Sequence, residues 1–248
     1  MKVIFKFFHS LYILWVLIVF SVFMLILLPF IIGPMFLGER GGSITYFFLK
    51  LWSGIFSLLT FIHYKIIGRE NIQKGKAYIF VSNHTSYLDV PGVCLTIPGQ
   101  FRPIAKKELL KLPVFGWIVK MVTVVVDRSS GESRRNSLEQ VKRLIRTGIS
   151  ILIFAEGTQN RTDKLLQPFY DGAFRLAIDS QEPIIPMLIV GAGKLMYPGK
   201  INVKPGLIKI IVLPPVNVEG LSMKDMANLK QNVFDLMLNE MKQHTHQA

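Results

Sequence analysis

Four short segments of the 248-residue chain hold side chains whose types and spacing could do chemistry. The first is NHTSYLD, residues 83–89, directly after an apolar run that ends at Val81. A histidine (His84) five residues before an aspartate (Asp89), across a strand-to-helix turn, can bring imidazole and carboxylate together. The carboxylate would hold one ring nitrogen protonated and leave the other as a base. A turn asparagine at Asn83 beside a hydrogen-bonded core histidine is the competing reading of the same residues.

The second segment, AKKEL at 105–109, is followed by Pro113 and Gly116. Its lysines, Lys106 first, follow a short strand and precede a helix, a place where charge and backbone amides both favour anions; a solvated turn is the alternative. The third, FAEGTQNR at 154–161, leaves the strongest β-run in the chain. There Gly157 permits close backbone approach, and Thr158 and Arg161 supply donors suited to a phosphate. Glu156 is not expected to be fully buried without partners, and Thr158 could instead cap a helix. The fourth, IIPMLI from 184, has no chemistry of its own and reads as an apolar wall around Pro186.

The elements that must position these groups are read from hydrophobic period. Runs at 77–81, 101–105, 122–126, 149–154, 184–190 and 207–213 predict buried strands. Residues 132–147 predict a helix with Leu138, Val141, Leu144 and Ile145 on one face, stopped by Gly148. Its other face carries Arg134, Arg135, Lys142, Arg143 and Arg146. A last helix starts near Ser222, whose spacing to Asp225 resembles a capping box. Strands alternating with helices imply an α/β domain with a mixed, mostly buried sheet.

Ahead of this domain the composition differs. Half of all residues are hydrophobic and 18% are charged, yet the formal net charge is +13 and the mean hydropathy +0.40. Residues 1–62 contribute +3 of that charge and the rest +10. From Leu11 to Ile32 no residue is charged, and at about 1.5 Å per residue that stretch covers roughly the ~30 Å of a bilayer core. Pro29, Gly33 and Pro34 are expected to end or bend this helix, and Gly41-Gly42 to form a flexible connection to a second apolar stretch, Tyr46 to His63. The apolar run exceeds a signal-peptide core and no small-x-small cleavage site follows it. The expected organisation is therefore a membrane-anchoring helix pair at 1–63 and one catalytic domain at 64–248. Whether the pair spans the bilayer or lies in one leaflet stays open. Lys2, Lys6 and the basic domain would share the cytoplasmic side, and anionic membrane lipids are an expected partner. The single cysteine, Cys94, excludes an internal disulfide framework.

Taken together, the four segments resemble the 1-acyl-sn-glycerol-3-phosphate acyltransferases and their glycerolipid acyltransferase relatives. These share an N-H-x4-D motif, a K-x-E-L-x3-P-x2-G motif, an F-P-E-G-T-R motif and an apolar motif with a central proline, in that order. Here they stand at Asn83–Asp89, Lys106–Gly116, Phe154–Gln159 and Ile185–Ile189, with FYDGAF at 169–174 and Val126-Asp127-Arg128 as further similar segments. The resemblance implies O-acylation of a lysophospholipid, 1-acyl-sn-glycerol 3-phosphate, at its sn-2 hydroxyl to give phosphatidic acid. His84 would be the base and Asp89 its orienting partner. Lys106, Arg128, Glu156, Gly157, Thr158 and Arg161 would hold the substrate, supported by Asn83, Gln159 and Pro186. Acyl-CoA or acyl carrier protein would be the co-substrate, with no metal or bound cofactor. The carrier protein is acidic and could dock on the Arg134, Arg135, Arg143 and Arg146 face. The location implied is a bacterial inner membrane.

Two departures stand out. Ala155 replaces the family's proline, and Gln159 replaces the arginine that the family uses toward the acceptor's phosphate. The second keeps open a different lysolipid acceptor. Two rivals from other classes fit the residues less well. A hydrolase using Ser86 or Cys94 lacks a G-x-S-x-G elbow. A non-enzymatic lipid-binding module would be expected to lose His84 or Asp89. No nucleic-acid-binding motif is present.

Overall fold

A computed structural model describes residues 2–111, 115–127 and 131–245. Arg128 and Pro113 of the predicted site segments lie outside them, as does His246 at the tail. The chain forms two compact units, one of residues 1–66, 85–96 and 189–210, the other of 67–84, 97–188 and 211–248. Seven strands are ordered β1-β7-β6-β2-β5-β3-β4: β1 is Ile62–Ile67, β2 Ile79–Ser82, β3 Phe101–Lys106, β4 Val124–Val126, β5 Ser150–Phe154, β6 Ile184–Val190 and β7 Gly206–Val212.

In the second unit β6, β2, β5, β3 and β4 pair in parallel. Strands of that kind are covered on both faces, which explains why their sequences are continuous rather than alternating. All of Ile79–Ser82 and Ile184–Val190 are buried. Pro186 sits inside β6 opposite Val81. It has no N–H to give the ladder, but its carbonyl still accepts from Leu213 N–H at 2.9 Å.

The helix expected at 132–147 is α5, Gly131–Arg146. It ends as the sequence requires. Gly148 adopts φ +83° and donates to Ile145 O while Ile149 donates to Leu144 O, a Schellman closure. The Ser222 capping box is present: Ser222 N–H donates to the Asp225 carboxylate at 2.9 Å and Asp225 N–H to Ser222 O. That bond from Ser222 holds the Asp225 carboxyl below its ordinary range. A 3-10 turn then leads into α8, Met226–Thr245, which buries Leu229, Val233, Met237 and Met241 at four-residue spacing. α6, Gly172–Ser180, packs against it, with the Phe169 ring edge-on to Phe234.

In the first unit α1 (Lys2–Ile32) packs along α2 (Glu39–Thr60). Pro29 lies inside α1, which ends at Ile32 as Gly33 and Pro34 lead into a 3-10 turn at Gly33–Leu37. One expectation fails. Gly41-Gly42 is not a connection but part of the first turns of α2. A Cβ at Gly41 would collide with the Pro34 carbonyl, so the glycine marks a close backbone approach rather than a break. Strand β1, absent from the expected set, follows α2 at once through Phe61, whose left-handed φ of +57° turns the chain.

The last turn of a helix leaves carbonyls without partners. In α2 two are met from α1: Tyr12 OH donates to Thr60 O at 2.7 Å and Trp15 Nε1 to Leu59 O at 2.8 Å. Phe20, Trp52 and Phe56 fill the seam between the helices. The outward side of α1 is an exposed apolar surface including Leu14, Leu17, Ile18, Leu25 and Ile26. Both helices are long and apolar enough to cross a membrane.

Candidate active site

Parallel strands send their carboxyl ends the same way, and the groups picked from sequence leave those ends. In the second unit Ser82, the last residue of β2, pairs with Phe154, the last of β5. Ala155 N–H donates to Ser82 O at 3.0 Å, extending the ladder one step. His84 therefore emerges beside the segment 155–161. Its half-buried ring stacks on Phe154, with centroids 4.1 Å apart and an interplanar angle of 19°. Its carbonyl accepts from Asn160 N–H at 2.7 Å. A flat ring contact of this kind fixes the plane of the imidazole.

The loop after β5 is shaped from within. Gly157, φ +70°, closes a turn with its N–H on Phe154 O. Buried Asn160 is the organiser: Oδ1 accepts from Thr162 N–H, Thr162 Oγ1 and Gln167 Nε2, while Nδ2 donates to Lys164 O. Thr158 opens no helix, so its role as a cap is excluded; it is exposed, as is Arg161. Glu156 is buried and is not without a partner there. Gln159 is half-buried, and its Nε2 has no hydrogen-bond partner among the described residues.

Lys106 ends β3, the neighbour of β5, and is half-buried. Lys107 is engaged elsewhere, in an ion pair with Asp127 at 3.1 Å just past β4. Together β2, β5, β3 and β4 carry His84, Glu156–Arg161, Lys106 and Asp127 at one end of the parallel sheet.

Asp89 belongs to the first unit and opens α3, Asp89–Thr96. It is buried, and its Oδ2 accepts from Thr85 N–H at 2.7 Å and Ser86 N–H at 2.9 Å. These charge-assisted bonds fold the turn back on its own aspartate. Ser86 completes the turn, its Oγ accepting from Leu88 N–H and donating to Met196 O at 2.8 Å. Tyr64 OH donates to Leu88 O at 2.9 Å, and burial, then the Asp89 charge, push the Tyr64 phenol well above its ordinary range. Cys94 lies buried on α3 with its thiol pushed up to about 11, chiefly by burial. A thiol so placed is a poor nucleophile.

Sequence reasoning did not pick Phe154 as the platform for His84, or Asn160 as the organiser of the loop. The second left a trace: Asn160 two residues before Thr162 fits an Asx-turn. The first could not be read, because it depends on which strand lies beside β2.

Parallel strands thus carry a histidine and a basic, glycine-bearing loop at their carboxyl ends. The Acyltransferase family model matches residues 63–190, just over half of the chain, and the chain belongs to that family. An uncharacterized acyltransferase of Schizosaccharomyces pombe is 34% identical over 201 residues, 78% of this chain and 71% of the yeast protein. The human 1-acyl-sn-glycerol-3-phosphate acyltransferase alpha is 32% identical over 179 residues, 71% of this chain and 63% of its own length. A chloroplastic 1-acyl-sn-glycerol-3-phosphate acyltransferase of Brassica napus is 32% identical, matched over 50% of its length. The match thus spans between half and about two thirds of several of these relatives. The crystal structure of PlsC, the 1-acyl-sn-glycerophosphate (LPA) acyltransferase of Thermotoga maritima, superposes with a TM-score of 0.82 over 97% of both chains at 22% identity, and so shares the fold.

Proposed function

We propose that the protein transfers a fatty acyl group from a thioester to the sn-2 hydroxyl of 1-acyl-sn-glycerol 3-phosphate, forming phosphatidic acid. The observation that carries this reading is His84 at the carboxyl end of β2, stacked on Phe154 beside the loop 156–161, in a chain whose relatives bear that activity in their names. His84 accepts the proton of the acceptor hydroxyl as the oxygen attacks the thioester carbonyl. The C–O bond forms, the C–S bond breaks, and the proton passes to the departing thiolate. No enzyme nucleophile is required, which fits a buried Cys94 and a Ser86 whose hydroxyl is spent on Met196 O. The resemblance gives Asp89, fixed by two backbone amides, the role of partner to His84. A positioned base of this kind is worth about 10²- to 10⁴-fold.

Lys106, Arg161 and the turn at Glu156–Thr158 receive the glycerol phosphate, and acyl-CoA or acyl carrier protein is the donor. The helix pair 1–63 anchors the domain 64–248 to a membrane. Lys2 and Lys6 favour the cytoplasmic face, in a bacterium that of the inner membrane. The test is transfer from radiolabelled acyl-CoA to lysophosphatidate by the purified protein. A His84→Ala variant that retains near-normal transfer sinks the assignment.

One observation supports a second acceptor. Gln159 stands where the resembling family has arginine, so a neutral donor replaces a charge. A lysolipid with a larger or less charged head group fits that change, and an acceptor screen separates the two.

A further inference from the structure

Between α7 (Ala192–Leu195) and β7 the chain makes a short hairpin. Lys204 N–H donates to Leu195 O at 2.9 Å, and Met196 bridges Val203 antiparallel. Its tip is the turn Tyr197-Pro198-Gly199-Lys200, closed by Lys200 N–H on Tyr197 O at 3.1 Å. Proline at the second position and glycine, at φ +78°, in the third are what a type II turn requires. The tip is thus held by its own backbone. It displays Ile201, 65% exposed, and Tyr197, 47% exposed, with Lys200 Nζ over the tyrosine ring at 5.5 Å from the centroid. The tip thus presents an isoleucine and a tyrosine beside Lys200 on a turn fixed by its own backbone.

Two bonds fasten the hairpin and a third fastens the start of β7 just after it, all within the first unit. Asn202 Oδ1 meets His9 Nε2 at 2.6 Å, tying the hairpin to the start of α1, where Phe5 is 74% exposed and Lys2, Lys6 and Phe8 are exposed as well. Gly206 N–H donates to the carbonyl of Phe61, a left-handed residue that is 61% exposed. Phe61 ends α2 in the left-handed conformation of a helix cap and keeps its ring exposed there. At the hairpin's base, Met196 O accepts the Ser86 hydroxyl, whose backbone N–H binds Asp89. Segments 2–9 and 195–204 hold Lys2, Lys6, Lys200 and Lys204 and no acid.

We propose that the hairpin 195–204, with Phe61 and the first two turns of α1, is a second membrane contact that seats on the headgroup region of an anionic bilayer. Aromatic rings and apolar tips interleaved with lysines match that layer in polarity and in charge. The inference rests on reading the helix pair as a membrane anchor and adds a contact that the pair does not supply. Met196 O in the same hairpin also takes the Ser86 hydroxyl of the turn that holds Asp89.

The sequence permits a direct test. Cys94 is buried and is the sole cysteine, so Ile201→Cys directs an environment-sensitive maleimide dye to the tip. The full chain is reconstituted with phosphatidylcholine vesicles, with or without phosphatidylglycerol, after its thermal melting is shown to match that of the parent. The expected result is a blue-shifted emission quenched by brominated acyl chains and shielded from iodide. The quenching should be severalfold stronger with phosphatidylglycerol, and a Lys200→Glu/Lys204→Glu pair should remove that difference. A label open to iodide and untouched by brominated chains, on protein that floats with the vesicles, overturns the proposal while the helix-pair anchor stands. Equal quenching with and without phosphatidylglycerol overturns the anionic preference. Protein that fails to float overturns the anchor and the proposal together. Should the labelled variant not fold, flotation of the charge-reversed pair against rising salt gives the same decision: salt sensitivity equal to that of the parent overturns it.

Discussion

The turn that carries Asp89 and the loop that carries Arg161 are built differently. In the turn the carboxylate is buried, accepts two backbone N–H bonds, and sits in a frame that Ser86 and Tyr64 complete. In the loop the backbone is tied down through Asn160, while Thr158 and Arg161 are exposed. The difference separates two tasks. Proton transfer tolerates little misplacement, so its groups are fixed before substrate arrives. Recognition of a head group can use side chains that settle on the ligand, and it is there that Gln159 departs from the family motif. On this reading the chemistry is the rigid part and the acceptor preference the adjustable one.

The comparison breaks most readily at His84. His84→Ala should lower kcat by about 10²- to 10⁴-fold with little change in KM for lysophosphatidate, measured with radiolabelled acyl-CoA. A loss confined to KM would move His84 from the reaction to recognition. Next comes Asp89→Ala, which should lower both activity and stability. The amides of Thr85 and Ser86 lose their buried acceptor, a cost of about 1–3 kcal/mol, visible in a denaturant midpoint. His84→Ala should not show a stability loss of that size, since His84 is half-buried and its carbonyl bond to Asn160 is kept.

On the adjustable side, Arg161→Ala should raise KM for lysophosphatidate by roughly tenfold and leave kcat within about twofold, as expected for one exposed charge-assisted contact. Gln159→Arg should raise the preference for lysophosphatidate over lysophosphatidylcholine by about three- to tenfold in competition assays. An unchanged ratio would place acceptor choice elsewhere. The smallest effect concerns Cys94. With its thiol pushed up to about 11, alkylation of the folded protein at pH 8 should be slow, and Cys94→Ala should keep activity within about twofold.

Much of the fold was legible because it rests on local signals. Continuous apolar runs announced β2, β5, β6 and β7, and the Leu138–Ile145 face with Gly148 announced α5 and its end. Two glycines and a strand were misread for physical reasons. Gly41-Gly42 reads as a break because glycine is a poor helix former, yet the first turns of α2 need Gly41 where the backbone meets Pro34. β1 carries no glycine or proline at its start, and its onset is set by a single left-handed phenylalanine. Glu156, placed beyond a central strand, is buried with a partner, as a carboxylate in such a place must be.

By itself the sequence determined the chemistry-bearing residue types, their order, and the division between an apolar N-terminal helix pair and a basic α/β region. Those properties reside in spacing and composition, which survive without knowing any long-range contact. Only the tertiary structure decided that β2 lies between β5 and β6, and therefore that His84 stacks on Phe154 and hangs its carbonyl on Asn160. Strand adjacency is a choice among chain crossovers that burial satisfies in several orders, and no single segment records which one was taken.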